Sequence, residues 1–123
     1  MRDEPRDLTD AERTLLVFLL THGSGEARTF LGQVPFTKAK PGCTCGCPSI
    51  RLIVDRTSVA GHAMERVIAD VLGTTPNGLG VGVLLFADDG YLSDLETYDF
   101  EGHVEPFPLP TLESLHPFET TQA

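Results

Sequence analysis

Residues 80–96 read GVGVLLFADDGYLSDLE, and this stretch decides the fold. Val81 to Ala87 is apolar on both faces, the pattern of a central strand, and Gly80 and Gly82 leave room for close packing. Asp89-Gly90 offers two residues that accept positive φ, the signal of a type I′ hairpin. Tyr91 to Phe100 is expected to return as the partner strand. Leu92 and Leu95 are an odd number of residues apart. They share a face only if a bulge near Ser93-Asp94 resets the register.

Upstream, Met64, Val67, Ile68, Val71 and Leu72 fit a helix face, yet the segment is rich in β-branched residues. It leads through Pro76-Asn77-Gly78 into the central strand, which suits a hairpin, so a strand is expected from about Arg66 to Thr74. Ile50, Leu52 and Val54 alternate with Arg51, Ile53 and Asp55, another strand pattern. Pro35 and Pro41 bracket Phe36 to Lys40, expected as a short edge strand.

The N-terminal part has the helical period. Thr9-Asp10-Ala11-Glu12 has the form of a capping box and predicts a helix to about His22. Leu15 to Leu20 make that helix apolar all round, hence largely buried, and Gly23 is expected to close it in a left-handed conformation. Ser24 caps a second, shorter helix with Ala27, Phe30, Leu31 and Val34 on one face, ended by Pro35. The tail from Glu105 to Phe118 holds four prolines and predicts an extended path, with one helical turn at Thr111 to Leu115. The expected fold is α+β, one domain over residues 1–123. An N-terminal αα-hairpin packs on one face of an antiparallel meander of about four strands.

The apolar fraction of 41% is that of a globular chain. A membrane span needs about 20 consecutive apolar residues, and the longest such run is Leu15 to Leu20. No signal-type apolar stretch follows Met1-Arg2-Asp3-Glu4-Pro5, so the chain reads as cytoplasmic, with its cysteines as thiols. The net charge of −9 is unevenly placed. All nine Lys and Arg lie at or before Arg66, where the running balance is +1; Val67 to Ala123 holds ten acidic residues and no basic one. That argues against nucleic acid and anionic membranes as partners and favours a basic protein surface or a divalent cation. Acidic surfaces also serve solubility alone; oligomeric state is open.

The segments Cys45-Gly46-Cys47-Pro48-Ser49 and Asp89-Gly90-Tyr91-Leu92-Ser93-Asp94-Leu95-Glu96 together resemble a group of small bacterial proteins of unassigned function. That group has a Thr-x-x-Glu helix start, a CGCP-type loop and a late DGxLSxLE strand. The resemblance supports a strand before the Asn-Gly turn. It brings no activity and implies only that Cys45, Cys47 and Glu96 merit testing.

Two constellations carry candidate chemistry. Cys43, Cys45 and Cys47 can converge on one soft ion, zinc or monovalent copper. The fourth ligand would come from His22, His62, His103, His116, a carboxylate or a second chain. Against this, the spacing is shorter than in standard zinc sites, and small thiols in a tight loop need no metal. A disulfide between two of them would close a strained ring. The second constellation is the acidic set Asp88, Asp89, Asp94, Glu96, Asp99 and Glu101. Asp94 and Glu96 share a strand face if no bulge separates them, and Glu96 is expected to be partly buried. Asp88-Asp89-Gly90 is also plain turn chemistry, and no EF-hand pattern is present.

Three readings follow. The first is a non-catalytic binding module of immunity or inhibitor type, docking a basic partner through the acidic half. The alternative is a metal- or thiol-dependent protein centred on the three cysteines. The third is a small hydrolase using Glu96 or a cysteine, for which no nucleophile elbow, phosphate loop or HExxH motif exists.

Overall fold

The computed structural model describes residues 4–42, 48–100 and 107–117. Its elements are β1 (Arg6–Asp7), α1 (Asp10–Thr21), α2 (Gly25–Arg28), a 3-10 helix (Leu31–Phe36), β2 (Thr37–Pro41), β3 (Ile50–Val54), β4 (Val67–Thr74), β5 (Gly80–Asp88), β6 (Tyr91–Asp99), a 3-10 turn (Leu112–Ser114) and β7 (His116–Pro117). The expected α+β class is present. The strands form one antiparallel sheet in the order β1-β2-β3-β6-β5-β4-β7. Thus β4, β5 and β6 form a meander, but β3 pairs with β6 and not with β4. The simple four-strand meander is corrected accordingly. Residues 55–66 are too long for a hairpin turn, and they carry the chain across the end of the sheet instead.

Each element forms for a local reason. The hydroxyl of Thr9 accepts from the Glu12 N–H at 3.1 Å, and Glu12 accepts from the Thr9 N–H at 2.9 Å. This is the expected capping box. Arg6 adds a two-pronged pair to Glu12, both contacts at 2.9 Å, and so ties β1 to α1. Leu15, Leu16, Leu19 and Leu20 are buried, whereas Val17 is exposed and Phe18 only half-buried, so α1 is less enclosed than its composition suggested. Gly23 is not left-handed. Its role is steric, since a Cβ there would lie 2.9 Å from the Ala27 Cβ.

The second helix is interrupted. Ser24 caps α2 as expected, but the Thr29 hydroxyl donates to the Glu26 carbonyl at 2.7 Å and the α-helix stops after one turn. The chain continues as the 3-10 helix, which runs through Pro35. This change of winding turns Gln33 into the core, where it is fully buried.

The sheet's inner face is Leu52, Val54, Val83, Leu85 and Leu95, packed with the helices and with Leu109, Leu112 and Leu115 of the tail. Leu92 and Leu95 are both buried because Phe86 pairs with Asp94 while Ala87 pairs with Leu92, leaving Ser93 as the extra residue. The turn has Asp89 at φ 52° and Gly90 at φ 87°, as the type I′ reading required. No described helix is long and apolar enough to cross a membrane.

Burial pushes the Glu12 carboxyl up, but the bonds from Arg6 and Thr9 outweigh it and leave its pKa below the ordinary value. A carboxyl held low stabilises the fold above about pH 4 and loses that contribution as acid protonates it. Glu12→Gln is therefore expected to cost about 1–2 kcal/mol at neutral pH. Urea unfolding of both proteins should show the gap closing as pH falls below about 4; a gap independent of pH would contradict the assignment.

Candidate functional site

A cleft lies where the helices meet the β5–β6 turn, and the 55–66 crossover forms its wall. Asp55 starts the crossover by accepting from the Thr57 N–H at 3.0 Å and its hydroxyl at 2.8 Å. The Tyr91 hydroxyl, within 3.2 Å of the Arg56 carbonyl and 3.3 Å of the Ser58 carbonyl, holds the next turn, and the Arg56 guanidinium lies 4.5 Å over the Tyr91 ring. Gln33 then joins three segments. Its amide donates to the carbonyls of Val59 (3.0 Å) and Gly90 (2.8 Å), and its oxygen accepts from the Leu92 N–H (3.0 Å). Gly61 donates to the Gly90 carbonyl at 2.8 Å. A Cβ at Gly61 would sit 2.6 Å from the Phe30 ring, so only glycine admits this approach. Finally, the His62 N–H donates to the Thr29 hydroxyl at 2.8 Å, and the Met64 N–H to the Glu26 carboxylate at 3.3 Å.

The resulting cleft has a volume of about 570 Å³. Its lining holds the carboxylates of Glu26, Glu65, Asp88 and Asp89, the Arg66 guanidinium and the His62 ring. Phe30, Ala63 and Met64 add an apolar wall. Arg66 is not free. It grips Asp88 with two contacts, at 2.7 and 3.2 Å, approaches Asp94 at 3.8 Å and lies 5.0 Å over the Phe86 ring. The hydrogen bond from Arg66 holds the Asp88 carboxyl below its ordinary pKa, and the fields of Arg66 and Arg56 add to it.

The expected acidic set is only partly gathered. Asp88 and Asp89 line the cleft. Asp94 and Glu96 lie side by side on the outer face of the sheet, because the bulge falls at Ser93, before both. Glu96 is exposed, not partly buried. Asp99 pairs with Val81 at the far end of β6, on the inward-facing side. Glu101 lies outside the described residues, as do Cys43, Cys45, Cys47 and His103. The flanking Gly42 and Ser49 are joined by a backbone bond at 3.2 Å, and Ser49 contacts Thr97. His62 sits at the β5–β6 turn, toward the opposite end of β6. His22 stacks on Phe18, and His116 lies on β7 beside β4. Among the described residues, no group of three or more His, Cys, Asp or Glu side chains could hold a metal ion.

Glu26 and Glu65 were not singled out in the sequence, because the N-terminal part is nearly charge-balanced overall. Only the fold gathers them with Asp88 and Asp89 around one cleft. No protein-family model, curated protein or solved structure matches this chain.

Arg66→Ala should raise the Asp88 pKa toward the ordinary carboxylate range, followed by NMR titration of the side-chain carboxyl. An unchanged titration would show that Arg66 does not set the charge state of this rim.

Proposed function

We propose that the protein is a non-catalytic binding module that docks a basic protein partner, with the acidic cleft receiving lysine or arginine side chains. The observation that carries this reading is the gathering of Glu26, Glu65, Asp88 and Asp89 around one cleft whose lining holds a single guanidinium, already committed to Asp88. A guanidinium entering the cleft meets carboxylate acceptors and an apolar wall for its stem. The immunity- or inhibitor-type role is an analogy of size and charge with small acidic proteins that neutralise basic clefts. The working end of the molecule is the β5–β6 turn rather than the whole anionic half, because Arg66 and the sheet divide the other carboxylates between surfaces.

Affinity capture with the wild-type chain and with Glu65→Lys/Asp89→Lys tests this reading at roughly 50 and 300 mM salt. The expected result is a discrete basic partner held by the wild type at low salt, weakened at high salt and lost with the double variant. Equal capture by both chains, capture insensitive to salt, or no partner at all would contradict it.

A further inference from the structure

The outer face of the sheet carries a charge pattern that is complementary to itself. Lys40, Arg51, Asp94, Phe86 and Val67 form one row across β2, β3, β6, β5 and β4. Glu96, Leu84 and Asp70 form the next row, and Tyr98, Gly82 and Leu72 the one after. The β2–β3 side is thus cationic, and the β6–β4 side is anionic and apolar. Two described cations reach that second side at the hairpin end: Arg66, held by Asp88, and Arg56, which lies over the Tyr91 ring. Large apolar side chains stand exposed on this face: Ile53 at 39%, Tyr98 at 39%, Val67 at 42% and Phe100 at 53%. The Tyr98 ring lies directly on Gly82, and Phe100 on Gly80. The described helices all pack on the opposite face.

We infer that this face closes on a second copy of the chain about a two-fold axis parallel to the strands, between β3 and β6. Such an axis sets β3 over β6 and β2 over β5, so Arg51 of each copy meets Asp94 of the other. An axis across the strands would lay each strand over itself and oppose like charges, so the charge pattern selects the first. Aligned packing of two sheets about 10 Å apart is a common arrangement. Five strands spaced about 4.8 Å apart present roughly 500 Å² of planar face. That is the low end for a stable interface, so the dimer is reversible and weakens with salt. With the axis along the strands, the two acidic clefts point the same way.

Sedimentation velocity of the full chain at ~100 μM in low salt reads the association directly. The wild type is expected to be dimeric. Arg51→Glu alone and Asp94→Arg alone should each weaken association at least tenfold, while an equimolar mixture of the two should restore it, because every facing pair is then complementary. Circular dichroism confirms that each variant is folded. If either charge variant does not fold, Ile53→Asp provides the second arm and should also give monomers. A monomeric wild type, single variants that dimerise like the wild type, or a mixture that stays monomeric would overturn the inference.

Discussion

The buried Gln33 amide is the constraint on which the arrangement of this molecule depends. It has no exposure to solvent, and its three hydrogen bonds reach Val59, Gly90 and Leu92. These lie on the crossover, the hairpin turn and the strand that follows it. A buried amide left without partners costs a few kcal/mol, so all three segments must arrive together for the core to close. Gly61 and Phe30 complete the same junction by direct contact. The acidic cleft is therefore bounded by a node inside the fold and does not rest on loop conformation alone.

The local signals in the sequence were legible wherever one turn or one period decides the outcome. The Thr9/Glu12 box, the Ser24 cap, the Asp89-Gly90 turn and the bulge at Ser93 all appear in the structure. The strand over Val67–Thr74 also formed, although its apolar spacing fits a helix equally well. There the turn at Gly78 and pairing to β5 prevail over periodicity. What was not legible depends on distant partners. Pairing of β3 with β6 spans more than forty residues and leaves no local mark. Gln33 reads as a polar residue beside an apolar helix face, and only the change from α to 3-10 winding after Thr29 turns it inward.

Charge shows the same division between composition and placement. Residues 67–123 hold every carboxylate of the expected acidic set and no Lys or Arg. Folding does not leave it uniformly anionic. Arg66, the last cation in the sequence, crosses to Asp88 and approaches Asp94, while Glu26 and Glu65 join the cleft from the charge-balanced part. The anionic surface is thus narrower than composition implied and better defined. One end of the molecule offers an acidic cleft, and the outer sheet face offers paired strips of opposite sign. Arg66 stands at their boundary: it lines the cleft, grips Asp88 and approaches Asp94 of the outer face at 3.8 Å.

Gln33 thus locks the crossover and the β5–β6 hairpin into one unit. Native-state hydrogen exchange at the Leu92 and Gly61 amides tests it most directly. Both should exchange only through global unfolding, with opening free energies equal to those of the central β5 amides. Exchange of either amide by local opening, well below the global value, would show that the node does not hold the cleft in place.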